Sequence, residues 1–278
     1  MRCQFCFATF KDVKNSILPK GHLPREQSID VVKNLAQFGF EKITFAGGEP
    51  TLCKWLPELI QTAKTAGLTT MIVTNGTNLT DDFLRNNQQH LDWITVSVDS
   101  LLDKTNIETG RAINGNKPVN QLSYFALVEK IKYFGYGLKI NTVVNSKNVN
   151  ENLSEFVEYA NPSRWKIFQV LPIKGQNDLK INDLLISDSE FEKFINNHKT
   201  NIKDINIIPE TNNQMKGSYV MVDPAGRFFD NSSGTHIYSK PISSVGCNSA
   251  FNEMNYDSKK FKDRGGLYNW ERQNKLIA

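Results

Sequence analysis

Between residues 28 and 171 the sequence alternates short apolar runs with amphipathic stretches of roughly 10–15 residues, a rhythm that admits little besides an α/β fold with a parallel sheet. Helices are predicted at 28–39, 55–66, 81–87, 122–134 and 152–160, and strands at 41–45, 69–73, 93–98, 138–145 and 165–171. Ile29, Val32, Leu35 and Ala36 share one face of the first helix, and Gly39 and Gly67 stop the first two. The stretch 11–25 reads as polar and irregular. Residues 101–119, with Gly110, Gly115 and Pro118, read as a long connection over a sheet edge. After residue 171 the alternation stops. There follow a helix at 188–197, a short strand at 205–208 and a hairpin of 218–222 with 226–229, turned at Pro224-Ala225-Gly226. Residues 230–250 read as a Ser/Gly/Asn-rich loop, and a polar tail carries Phe251, Phe261, Tyr268 and Trp270. The expected organisation is a core over 1–175 with an extension over 176–278 packed on it.

The charge balance, 33 Lys and Arg against 29 Asp and Glu, is mildly positive and scattered, without the dense block of a nucleic-acid surface. A small anion fits better, so no direct nucleic-acid partner is expected. Four cysteines in 278 residues do not make a disulfide framework. No signal peptide or membrane-spanning run is visible. A reducing, cytoplasmic location without a membrane partner is therefore expected.

Functional residues in such a sheet gather beyond the carboxyl ends of its strands, and the motifs are placed there. Cys3 and Cys6 form a C-x-x-C, suited to a metal or iron–sulfur cluster, to a redox dithiol, or to half a zinc site. Phe7 and Phe10 beside them shield such a centre or pack in the core. Gly47 and Gly48 let backbone approach a ligand closely, and Glu49 accepts from an ammonium group or is a solvated loop acid. Asn75-Gly76 marks a tight turn in any protein. Ser97 and Asp99 cap a strand end or meet a ligand, and Arg111 is a surface residue or a carboxylate clamp. The pairs Lys139/Asn141 and Arg164/Lys166 each share one strand face. An inner face does not tolerate unpaired cations. Few acids occur in these two strands, so a polyphosphate is the natural partner unless both are edge strands with solvated ends.

The cysteine pair with F-A-G-G-E-P at 45–50 resembles the core of the radical S-adenosylmethionine (SAM) enzymes. The further runs V-T-N-G-T, S-V-D-S, K-I-N-T-V-V-N, N-P-S-R-W-K-I-F-Q, I-P-E-T-N-N-Q-M-K-G-S-Y and D-R-G-G-L-Y-N-W sharpen this to the viperin-like family, and more to its prokaryotic members. The resemblance implies a partial (β/α)6 barrel closed by a C-terminal extension. It implies a [4Fe–4S] cluster on a C-x3-C-x2-C run, whose first cysteine would lie four residues before Cys3. The chain is thus expected to be truncated at its start, without the family's first strand, leaving Cys3 and Cys6 as two of three iron ligands. Neither Cys53 nor Cys247 replaces the third.

By the same resemblance Gly47, Gly48, Glu49, Asn75, Ser97 and Arg111 contact SAM. Lys42, Lys139, Asn141, Arg164 and Lys166 hold a nucleoside triphosphate, and Tyr219 faces its ribose as a proton donor. Ala46 replaces a substrate-binding serine of the animal enzyme, and a late lysine of that enzyme has no assignable counterpart, His236 and Lys240 being nearest by counting. The implied reaction removes the C4′ hydrogen and the 3′-hydroxyl of a nucleoside triphosphate, by default CTP, with GTP and UTP open. It yields a 3′-deoxy-3′,4′-didehydro chain terminator for antiviral or anti-phage defence. An electron donor such as flavodoxin or ferredoxin and iron–sulfur assembly factors are the implied partners, and Trp270 recruits the latter or closes the core. The alternatives are another radical SAM enzyme, a catalytically dead nucleotide-binding protein, and a protein-binding scaffold.

Overall fold

The computed structural model describes residues 1–18 and 20–270. Six parallel strands form one sheet: β1 (Lys42–Phe45), β2 (Thr69–Thr74), β3 (Trp93–Ser97), β4 (Gly137–Val144), β5 (Arg164–Gln169) and β6 (Ile207–Glu210). They lie side by side in chain order, so each connection crosses to the neighbouring strand. Parallel neighbours need such crossovers, and five helices supply them: α1 (Leu56–Thr65), α2 (Asp81–Asn87), α3 (Gln121–Tyr133), α4 (Ser154–Ala160) and α5 (Asp188–Asn201). A further helix, Arg25–Phe38, precedes β1, and Gly39 ends it at φ 104°. Local chemistry fixes several helix starts. Thr80 and Asn120 cap α2 and α3, and Ser187 with Glu190 forms a capping box on α5.

The two sheet faces differ. Ile72, Ile94, Ile140 and Trp165 point to one side, are at most 1% exposed, and pack with Leu84, Tyr124, Val128 and Phe156 of the helices. The parallel register puts Thr95, Lys139 and Arg164 in one row of the opposite face and Ser97, Asn141 and Lys166 in the next. Alternation along a strand makes the segregation all-or-none.

Four readings of the sequence are corrected. The alternation does not stop at 171, because α5 and β6 continue it and β6 pairs with β5. β6, expected at 205–208, runs instead over Ile207–Glu210 and includes Pro209, tolerable on an edge strand. Residues 230–250 are not one loop: they contain a strand, Ile237–Pro241, and a helical stretch, Ile242–Phe251, kinked at Gly246. Its Ser- and Asn-rich sequence hides Ile242, Cys247 and Ala250, which pack on Val31 and Leu35 of Arg25–Phe38. The long connection at 101–119 contains a short helix, Asp103–Glu108, and a two-residue ribbon, and a helix, Lys11–Ser16, interrupts the stretch 11–25. The hairpin is present as Met221–Val222 against Arg227–Asp230. Among the described residues no helix is long and apolar enough to cross a membrane.

Candidate functional site

Two groups of residues occupy the polar face. One lies at the carboxyl ends of β1–β3. Gly47, Gly48 and Glu49 follow β1, with open space where side chains at the two glycines would stand. Glu49 is not a free acid: its carboxylate accepts from the Thr51 and Thr74 hydroxyls, each at 2.7 Å, and from the Asn75 N–H at 2.8 Å. This locks the loop after β1 to the end of β2. Asn75 in turn accepts from the Thr77 N–H at 2.9 Å, so its tight turn is real. Arg111 is buried and its Nε donates to Asp99, which also accepts from the Val143 N–H at 2.8 Å. Burial works against the guanidinium charge, but Asp99 beside it more than compensates.

The cysteine loop is attached here. Arg2 and Gln4 donate backbone N–H bonds to Gly110 and Thr109 at 3.1 and 2.9 Å. Gly110 sits at φ +77°, and a Cβ there would stand 2.3 Å from the Arg2 carbonyl oxygen, so only glycine permits the approach. Phe5 is buried against Val170, Ile181 and Leu184. Cys3 and Cys6 share one turn, with the Cys6 N–H on the Cys3 carbonyl at 3.2 Å, and burial raises both thiol pKa values. No third Cys, His, Asp or Glu joins them among the described residues. Phe7 is exposed, whereas Phe10 packs edge-on against Phe229.

The second group lies nearer the amino ends, not beyond the carboxyl ends as the sequence suggested. Lys42 opens β1, Arg164 opens β5, and Lys139 is early in β4. The Tyr268 hydroxyl accepts from Lys42 at 2.9 Å and Lys139 at 2.7 Å, and the Arg164 guanidinium lies 3.9 Å from its ring centroid. Arg164 also donates to the Gly265 carbonyl at 2.8 Å, and Trp93 Nε1 donates to the Trp270 carbonyl at 2.8 Å. Residues 265–270 therefore lie across the cationic row. Trp270 accordingly faces the site, with Lys42 5.0 Å from its ring.

Among the described residues one carboxylate, Glu210 of β6, contacts this group. It is fully buried and pairs with Lys166 at 2.6 Å and Arg264 at 3.1 Å. Tyr219 donates to the same carboxylate and accepts from Lys166 at 2.7 Å. Lys166 is thus not without an acid; the acid comes from the neighbouring strand, which the sequences of β4 and β5 alone do not reveal. Asn141 stands in register between Ser97 and Lys166, about 6.6 Å along β4 from Lys139, and so links the two groups. His236 instead packs against Phe10 and Phe229, and Lys240 pairs with Glu253. The extra late cation in the site is Arg264. Its signal was the D-R-G-G run, read only as part of a motif.

Burial, with repulsion from neighbouring cations, pulls Lys139 down to about 6 and Lys42 to about 8. Lys166 is also lowered to about 8 by burial, against the pull of Glu210. The unfolded chain keeps these lysines protonated to higher pH, so the unliganded fold gains stability as pH rises from about 6 toward 10. A polyanion has the opposite preference, because it restores the missing counter-charge. Its binding is expected to weaken from pH 6 to 9 and to take up protons near pH 7.5. Calorimetry in two buffers of different ionisation enthalpy measures that uptake, and equal observed heats in the two buffers would contradict it.

The chain matches the Radical SAM superfamily over residues 1–160. It is 60% identical to a protein of Lacinutrix mariniflava named S-adenosylmethionine-dependent nucleotide dehydratase, over 97% of this chain and 56% of that one. It thus spans little more than half of that relative. A Flammeovirga pacifica protein of the same name is 55% identical, over 98% of this chain and 92% of its own. Among solved structures, native anSMEcpe with bound AdoMet and Kp18Cys peptide superposes with TM-score 0.69 at 15% identity, covering 95% of this chain and 80% of that one. Streptococcus suis SuiB bound to S-adenosylmethionine gives 0.61 at 17% identity, covering 81% and 56%. These two likenesses concern the fold.

Proposed function

Because this chain belongs to the radical SAM superfamily and, within it, to the family of the SAM-dependent nucleotide dehydratases, we propose that it converts a nucleoside triphosphate to its 3′-deoxy-3′,4′-didehydro analogue. The observation that carries this reading is the excess of cations on a water-poor sheet face: among the described residues, Lys42, Lys139, Arg164, Lys166 and Arg264 face one contacting carboxylate, that of Glu210. Such an arrangement is complete only with a polyanion.

Membership implies a [4Fe–4S] cluster and SAM as cofactors. The donor chemistry fits as far as it goes. Cys3 and Cys6 offer two thiols on one turn, backed by buried Phe5, and their loop is fastened at Gly110. Gly47, Gly48, Glu49, Asn75 and Ser97 line the space where SAM would lie, with Arg111 and Asp99 behind. When bound, the two cofactors supply a radical that takes a hydrogen atom from the ribose. The chain's own share is placement. Lys42, Lys139, Arg164 and Lys166 take the phosphates, Asn141 bridges toward SAM, and Tyr219 with its fixed hydroxyl stands at the sugar.

CTP is the preferred candidate, with GTP and UTP as the other two. The product acts as a chain terminator in defence against viruses or phages. A flavodoxin or ferredoxin supplies electrons, assembly factors supply the cluster, and the setting is cytoplasmic. The test is anaerobic incubation of the reconstituted protein with SAM, dithionite and each triphosphate, followed by mass spectrometry. Didehydro nucleotide and 5′-deoxyadenosine should appear together with at least one triphosphate. SAM cleavage indifferent to every nucleotide would point to another radical SAM reaction.

A further inference from the structure

Glu210 is an unusual carboxylate for a sheet edge. It is fully buried, yet it touches three donors from three separate segments. Lys166 reaches it from β5 at 2.6 Å, Arg264 from the helix end after 258–263 at 3.1 Å, and the Tyr219 hydroxyl from the run after β6. Arg264 does more than neutralise charge. Its Nε and Nη2 donate to the Ser218 hydroxyl and carbonyl, each at 2.8 Å, and its plane lies 3.6 Å from the Tyr219 ring centroid. It therefore fixes the residue before Tyr219, the tyrosine ring and the carboxylate at once. The same hydroxyl accepts from Lys166 at 2.7 Å, so it has a donor on one side and an acceptor on the other.

Resting on the dehydratase reading above, we propose that Glu210 and Arg264 are positioning residues that hold the Tyr219 hydroxyl against Lys166, so that a proton surrendered by Tyr219 is replaced from the Lys166 ammonium. The step balances as follows. A ribose radical at C4′ takes one electron from the one-electron donor protein and the C3′–O bond breaks. The C3′=C4′ double bond forms, the departing hydroxide takes the Tyr219 proton to leave as water, and the phenolate oxygen takes a proton from Lys166. Lys166 recovers its proton from water after product leaves. The groups are suited to this direction. The phenol is held protonated at rest by burial and by Glu210 beside it, while burial makes the ammonium a readier donor than a surface lysine.

Glu210→Gln separates this role from mere support. The variant keeps the shape and removes one negative charge from a cation-rich pocket. It should bind inorganic tripolyphosphate at least as tightly as the parent, by calorimetry on the protein without cofactors. In the reconstituted protein the yield of didehydro product per 5′-deoxyadenosine should fall at least tenfold, and Glu210→Asp, which keeps the charge, should recover part of it. Tripolyphosphate affinity falling along with the yield would make Glu210 a structural residue only and overturn the inference, as would an unchanged yield. A parent that makes deoxyadenosine but no didehydro nucleotide overturns the dehydratase reading itself, a result distinct from either.

Discussion

Tyr219→Phe is expected to bind SAM and nucleoside triphosphate as the parent does but to form far less didehydro product, by a factor of about 10²–10⁴ if the hydroxyl acts as a general acid. The ring, packed under the Arg264 guanidinium, stays in place. What disappears is one hydroxyl that donates to Glu210 and accepts from Lys166. Leaving those two groups with one partner fewer should cost roughly 1–3 kcal/mol of stability, visible as a lower unfolding temperature. Uncoupled 5′-deoxyadenosine should persist, because nothing in the substitution touches the loops after β1 and β2. Product and deoxyadenosine are quantified together by mass spectrometry after anaerobic reduction. An unchanged product yield would return Tyr219 to a packing role and leave the proton donor elsewhere.

Arg164→Ala should weaken CTP, GTP and UTP by similar factors. Loss of one charge-assisted contact costs on the order of 1.5–3 kcal/mol, or about tenfold to a hundredfold in affinity. A uniform factor follows from contact with phosphate, which all three share. The substitution also removes the group that lies on the Tyr268 ring and bonds the Gly265 carbonyl. Binding of inorganic tripolyphosphate should fall by the same factor as that of the nucleotides. A loss confined to one base would place Arg164 at the nucleobase and contradict the assignment.

The parallel sheet was legible because its strands alternate with helices whose apolar spacing is regular, and 81–87 was placed to the residue. That Lys139 and Asn141, and Arg164 and Lys166, share one face of the sheet was legible because strand alternation forces each pair onto one side. What the sequence concealed was anything that depended on register between distant segments. Glu210 lies 44 residues beyond Lys166, which it neutralises, just past the end expected for its short strand at 208. Arg264 and Tyr268 sit among glycines in a polar tail, where no periodicity marks a core. Arg111 was anticipated as a clamp for a ligand carboxylate, whereas its Nε is held by Asp99, twelve residues earlier. Local propensity is silent on such pairings, because a loop's partners are decided by the fold that carries it. The short helix at 103–108 and the helix at 242–251 were missed for a related reason. Their sequences are poor helix formers, and at 242–251 tertiary packing supplies what propensity lacks.

The order of synthesis gives Tyr268 a further significance. Lys42, Lys139, Arg164 and Lys166 have all been added to the chain while roughly 100 residues remain before Tyr268 is added, a delay of about 5–20 s at bacterial and eukaryotic elongation rates. During that interval the basic side chains of the nascent chain have no tyrosine across them, so the contacts Tyr268 makes with Lys42, Lys139 and Arg164 are among the last in the site that can form.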